Sequence, residues 1–156
     1  MSVQTRDFST EQLARFKALQ QQVYAALEEV SQSLKAGETE REVTKRIHRT
    51  LKAMGLQSYF HVPVALFGER TAYPGEFGQF EALPTERKLR DEDAVILDCA
   101  PVIDGYTIDC SYSVPRADIA THAKTDALLK RCRDHILVRA KTRANMREVA
   151  REIDSM

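Results

Sequence analysis

Tryptophan is absent from the 156 residues, and glycine, proline and cysteine are scarce at six, five and three. So little glycine and proline argues against a collagen-like or low-complexity chain. Three cysteines with no CxxC pair argue against a disulfide scaffold and against the usual zinc-finger spacings. Charge of one sign is lacking too, because 23 lysines and arginines balance 23 aspartates and glutamates. No global field therefore points to nucleic acid or membrane as partner. No apolar run approaches the ~18 residues of a membrane span. The opening residues, Met1-Ser-Val-Gln-Thr-Arg-Asp7, hold no apolar segment of the signal-peptide kind. The expectation is a soluble cytoplasmic protein whose residues 1–156 form one domain.

Against that even background, two aspartates stand out. Asp98 and Asp109 lie in Ala94-Val-Ile-Leu-Asp98-Cys-Ala-Pro-Val-Ile-Asp104-Gly105-Tyr-Thr-Ile-Asp109-Cys-Ser-Tyr-Ser-Val114. A carboxylate inside an apolar strand is costly unless something compensates its desolvation. Asp104-Gly105 is a two-residue hairpin turn, which sets residue 100 opposite 109 and 98 opposite 111. Both aspartates then share one face as diagonal neighbours, with Cβ atoms somewhat under ~7–8 Å apart. Carboxylates at that spacing repel unless a proton or a cation sits between them. A pair of divalent ions ~3.5–4 Å apart fits such a gap. The opposite face, with Val95, Leu97, Cys99, Pro101 and Ile103 beside Tyr106, Ile108, Cys110, Tyr112 and Val114, is apolar and suits packing on helices. Cys99 and Cys110 therefore read as small buried hydrophobes, and Cys132 as an ordinary helix residue.

The rest of the chain reads as helices around this hairpin. Residues 9–36 form one long helix capped by Ser9 or Thr10, with a stripe of Leu13, Phe16, Val23, Leu27, Val30 and Leu34 that ends at Gly37. Thr39-Glu-Arg-Glu42 is a capping box, followed by Val43, Ile47, Leu51 and Met54 on one face and stopped by Gly55. Ser58 to Phe67 suits one or two strands, with Pro63 marking a break or an edge. Residues 68–92 read as a long irregular loop, more often functional than idle at that length. A third helix spans about 121–141. Lys35-Ala-Gly-Glu-Thr39-Glu-Arg-Glu-Val43-Thr-Lys-Arg-Ile47 is echoed by Lys141-Thr-Arg-Ala-Asn145-Met-Arg-Glu-Val149-Ala-Arg-Glu-Ile153 at a constant offset of 106 residues. The echo suggests a duplicated unit, with a first repeat over about 10–115 and the start of a second over about 121–156.

Helix, helix, strand and loop, then Val-Ile-Leu-Asp98, Asp104-Gly105-Tyr106 and Asp109, resemble the first half of the pita-bread metallopeptidases. These include methionine aminopeptidases, aminopeptidase P, prolidases and creatinase relatives. Gly37-x-Thr39-Glu-x-Glu-Val43 resembles the family's second-helix opening. The resemblance implies an α/β (α+β) fold with a curved antiparallel sheet packed on helices, duplicated in the complete domain and truncated here in its second half. It implies that Asp98 and Asp109 are metal ligands for a divalent pair of Mn, Co, Fe or Zn. It assigns the remaining ligands, one His and two Glu, to the second half. It also places Gly75 where peptidase members carry a substrate-binding loop His, Ala100 where many carry Gly, and Tyr112 where a basic residue is common.

His61 is the nearest other imidazole to this pair. It reads either as a half-buried strand residue or as a proton carrier or substrate-binding contact. His48, His122 and His135 read as helix-surface or packing residues, and Arg70 as a solvated loop charge or a holder of a substrate carboxylate. The leading expectation is an Xaa-Pro aminopeptidase- or prolidase-like hydrolase of peptide substrates, inactive as this chain alone. One alternative is a non-catalytic relative that binds peptides or proteins, and another is a creatinase-like metal-free C–N hydrolase. An apolar surface left where a second repeat would pack implies homodimerisation or self-association.

Overall fold

The computed structural model describes residues 8–72, 82–116 and 119–156. Helix α1 (Thr10–Gln32) starts at Ser9, whose hydroxyl accepts from the Gln12 backbone while the Gln12 side chain returns the bond, a complete capping box. The helix ends earlier than its apolar stripe suggested. Ser33 caps it, and Gly37, at φ +89°, closes the turn beyond. Leu13 is correspondingly exposed, whereas Leu19 joins Val23, Leu27 and Val30 in the core. The stripe drifts because 3.6 residues per turn carries its N-terminal end off the sheet.

Helix α2 (Glu40–Ala53) opens on the expected Thr39/Glu42 box and buries Val43, Ile47 and Leu51. Both helices cover one face of an antiparallel sheet. Strand β1 (Leu56–Phe67) pairs with the central β2 (Val95–Ile103). The other side of β2 pairs with β3 (Tyr106–Thr107) and β4 (Cys110–Val114), two segments of one hairpin arm interrupted at Ile108 and Asp109. Asp98 faces Ser111 and Cys99 faces Cys110, the register expected from the turn. Asp104 (φ +53°) and Gly105 (φ +76°) both take the left-handed conformation that a two-residue type I′ turn requires.

The face toward the helices holds Val95, Leu97, Cys99, Ile108 and Cys110 within one core cluster with α1 and α2 residues. Burial pushes the Cys99 thiol up to about 12 and that of Cys110 to about 11, so neither is a thiolate at neutral pH. β1 is a single edge strand rather than two. Its register slips between His61, which pairs with Ala100, and Val64, which pairs with Asp98. Three steps along β1 match two along β2, a β-bulge at Val62-Pro63, where proline has no N–H to offer the ladder.

The described parts of the segment between β1 and β2 are less irregular than expected. Gly68–Thr71 forms a short 3₁₀ turn, and Leu89 exchanges backbone bonds with the α2 approach: Gly37 N–H donates to it at 2.8 Å and Leu89 N–H to Glu38 at 2.8 Å. Gly75, in the position of the expected loop His, lies outside the described residues.

Two compact units divide the chain, at 1–117 and 118–156. The second comprises α3 (Ile119–Lys141) and α4 (Met146–Asp154). His135 Nε2 lies 2.6 Å from Glu152, which also accepts from Arg139 at 3.0 Å. α4 begins at Met146, 106 residues after the start of α2 at Glu40. Its cap differs, because Asn145 accepts from Arg147 N–H rather than from residue 148. Leu129, Leu137 and Val138 of α3 are exposed. No helix among the described residues is long and apolar enough to cross a membrane.

Candidate metal centre

The face of the sheet turned away from α1 and α2 brings together His61, Asp98 and Asp109, one from each of three adjacent strands or strand ends. His61 and Ala100 are direct partners, so their side chains project on the same face, and Asp98 lies two residues from Ala100 on that face. Asp109 flanks Ala100 from the hairpin arm. His61 and Asp109 therefore lean toward each other over Ala100, whose methyl group is fully buried between them. His61 Nε2 reaches 3.6 Å from Asp109 Oδ1 and 3.8 Å from Asp98 Oδ2. One ligand atom from each of the three residues falls within 4.8 Å of the other two.

The imidazole is oriented by its own strand. His61 Nδ1 lies 3.0 Å from the Val62 carbonyl, which can only accept, so Nδ1 carries the proton and Nε2 faces the carboxylates. Asp98 is the most sheltered of the two acids, with 31% of its side chain exposed against 65% for Asp109. Burial pushes the Asp98 carboxyl above its ordinary range; His61 pulls against that shift and the charge of Asp109 adds to it. Two carboxylates and an imidazole form a mixed oxygen–nitrogen donor set that suits Mn, Fe, Co or Zn, and the partly open face admits an ion. The donor set fits the group that the resemblance implies.

The other singled-out residues stand elsewhere. His48 Nδ1 bonds the Tyr59 hydroxyl at 2.8 Å in a packing contact between α2 and β1. Arg70 is not a solvated loop charge. Its Nε donates to the fully buried Glu40 carboxylate at 2.9 and 3.0 Å. Glu40 also accepts from Phe67 N–H at 3.1 Å, and from the N–H and hydroxyl of Thr85 at 2.9 and 2.7 Å. That hub holds the segment leading into β2. It was hidden inside the capping-box motif, although Glu40 stands three residues before Val43 and so on the buried face of α2.

An antiparallel sheet backed by two helices, with acids on its outer face, is the arrangement of the pita-bread hydrolases' half-domain. The model of metallopeptidase family M24 matches residues 14–156, and the chain belongs to that family. An uncharacterized peptidase of Schizosaccharomyces pombe is 32% identical over 90 residues, 58% of this chain and 18% of that protein. An uncharacterized peptidase of Staphylococcus aureus is 30% identical over 81 residues, 52% of this chain and 21% of that one. Among solved structures, X-Pro aminopeptidase from Thermotoga maritima matches 82% of this chain with a TM-score of 0.66 at 16% identity, over 35% of its own length. Escherichia coli aminopeptidase P with the inhibitor Pro-Leu gives 0.66 at 18% identity, over 82% of this chain and 28% of that one. The chain thus spans about a fifth of these curated relatives and about a third of these structures.

Proposed function

We propose that the chain supplies the first half of a metal-dependent peptidase site of the Xaa-Pro aminopeptidase and prolidase type, with Asp98 and Asp109 as ligands of a divalent pair. The observation that carries this reading is the convergence of the two carboxylates on one sheet face in a chain of family M24. The named activities of its structural neighbours, an X-Pro aminopeptidase and prolidases among them, support the substrate class.

A divalent pair, when bound, supplies a nucleophile from water at neutral pH and polarises the scissile carbonyl. The contribution of this chain is positional. Asp98 is fixed by β2 at the centre of the sheet, Asp109 by the hairpin arm, and Ala100 keeps the floor between the strands low. The resemblance assigns the remaining ligands to a second half, of which the 106-residue echo in α4 marks the start. On this reading the 156-residue polypeptide alone hydrolyses no Xaa-Pro peptide.

Manganese or cobalt titration of a form carrying both halves, with Asp98→Asn and Asp109→Asn beside wild type, tests the proposal. Each variant is expected to lose metal binding and Xaa-Pro hydrolysis together. Unchanged binding in Asp98→Asn overturns the reading. Gly75 in place of a loop His favours a second one, a non-catalytic relative that binds peptides. It predicts peptide binding without turnover in the same two-half form.

A further inference from the structure

We propose that His61 joins Asp98 and Asp109 to form a three-ligand site for a single divalent ion, built entirely from residues 61–109. The inference rests on the reading of the two aspartates as ligands and adds a side chain that the resemblance does not assign to metal.

Three observations carry it. First, Nε2 stands 3.6 and 3.8 Å from the two carboxylate oxygens. That is beyond hydrogen-bonding distance, since N–H···O bonds end near ~3.2 Å. Ligand atoms around one ion with ~2.1 Å bonds lie roughly 3.0–3.4 Å apart in octahedral cis or tetrahedral arrangements. Side-chain rotations that close these two edges by a few tenths of an ångström, and draw in the carboxylate–carboxylate edge, which lies within 4.8 Å, bring the three atoms onto a common ion. Second, Nδ1 is held 3.0 Å from the Val62 carbonyl, which turns Nε2, the nitrogen left to bind an ion, toward the carboxylates. A backbone carbonyl on the distal imidazole nitrogen is the usual support of a metal-binding histidine. Third, register irregularities on both sides of His61, between Tyr59 and His61 and at Val62-Pro63, set it opposite Ala100, two residues from Asp98 on the same face.

The site differs in kind from half of a dinuclear centre. Two carboxylates alone hold a divalent ion weakly, whereas two carboxylates and an imidazole give three protein ligands and open positions for water, the ligand count of many mononuclear zinc sites. The ion would also relieve the repulsion between Asp98 and Asp109 that the sheet imposes. Ala100 is the enabling residue, because any longer side chain there would stand between the imidazole and Asp109.

The test is cobalt titration of the EDTA-stripped 156-residue chain, followed by calorimetry, by the visible absorption of bound cobalt, and by proton NMR in the paramagnetically shifted region. One equivalent of cobalt is expected to bind, with a shifted, exchangeable resonance from the His61 Nδ1 proton. In His61→Ala and His61→Gln the affinity is expected to fall at least about 10-fold, the lower end for losing even an outer-shell partner, and the shifted resonance to vanish. Circular dichroism and urea midpoints near wild type in either variant keep the comparison valid. Equal affinity and an unchanged spectrum in both His61 variants overturn the proposal while leaving the aspartate reading intact. No binding of cobalt, manganese or zinc by the wild-type chain overturns it as well. That outcome leaves the peptidase reading to stand or fall on the two-half form. Loss of binding in His61→Ala with no loss in Asp98→Asn would overturn the aspartate reading and, with it, the three-ligand site that rests on it.

Discussion

Arg70 donates through Nε to both oxygens of Glu40, at 2.9 and 3.0 Å, and the carboxylate it meets is completely buried at the start of α2. The pair ties helix α2 to the 3₁₀ turn after β1, and Thr85 ties the same carboxylate to the segment entering β2. Glu40 thus receives five hydrogen bonds from four groups of the chain, and the carboxylate itself, fully buried, has no water to replace any of them.

Removing the arginine should cost more than removing a surface ion pair. Arg70→Met leaves the buried carboxylate without its cation, and truncating one partner of a buried pair costs about 3–5 kcal/mol. Glu40→Gln turns one acceptor oxygen into an NH₂ group facing donors, and a loss of about 2–4 kcal/mol is expected. Urea unfolding of both variants at pH 7 checks this. A change below about 1 kcal/mol in Arg70→Met would show that the hub does not brace the fold.

Acid should act first on a second clamp. Arg87 bridges Asp93, at 2.6 and 2.9 Å, and Glu69, at 2.8 and 2.6 Å. Hydrogen bonding to Arg87 holds the Glu69 carboxyl down to about 2 and holds that of Asp93 below its ordinary range. In the unfolded chain both titrate near ~4. Both are depressed in the fold, so their stabilisation is fully present above the unfolded values and is lost as pH falls through the folded ones. Thermal unfolding of wild type should therefore weaken from about pH 4 toward pH 2. Arg87→Met should start less stable at pH 7 and show a flatter acid limb; parallel curves would remove Arg87 as the cause. Gly68 shares in this clamp. It holds φ +53°, and the Arg87 guanidinium and Asp93 carboxylate fill the space a Cβ would need.

Much of this architecture was legible in the sequence because local rules and global packing agree there. The Asp104-Gly105 turn sets the hairpin register and hence the shared face of Asp98 and Asp109. The Thr39 box fixes the start of α2. What was not legible depends on tertiary partners. The register slips on either side of His61 decide which residue of β2 it faces, and alternation along an edge strand does not reveal such one-residue slips. In the sequence Glu40 is only the second residue of the Thr39–Glu42 box, and only the folded chain shows Arg70, Phe67 and Thr85 converging on it. The early end of α1 follows from the Ser33 cap, which an apolar stripe running on to Leu34 conceals.

The metal site should carry a measurable stability cost in the metal-free chain. Burial and the charge of Asp109 raise the Asp98 carboxyl, with His61 opposing them. A raised carboxyl means that the fold penalises the ionised form, so metal-free stability falls as pH rises through the folded value and remains reduced at pH 7. Asp98→Asn has no charge to desolvate. It should stabilise the EDTA-treated protein by up to about 1 kcal/mol, a few degrees in Tm for a chain of this size, while abolishing the cobalt response. Differential scanning calorimetry at pH 7 with EDTA decides this. A lower Tm in Asp98→Asn would mean that the attraction to His61 outweighs burial and repulsion.

Ala100 offers the sharpest separation of site geometry from ligand chemistry. It stands between His61 and Asp109 in the sheet and contributes no donor atom, so replacing it changes only the gap. Ala100→Val adds two methyl groups to a position with no exposed surface, and overpacking of this kind costs about 1–3 kcal/mol. The added bulk should hold the imidazole away from Asp109 and weaken cobalt binding by the 156-residue chain about as much as His61→Ala does. Ala100→Gly, which keeps the gap open, should retain wild-type affinity despite a modest loss of strand stability. If valine and glycine at this position bind cobalt equally well, then His61 and Asp109 do not meet over residue 100 in the metal-bound chain.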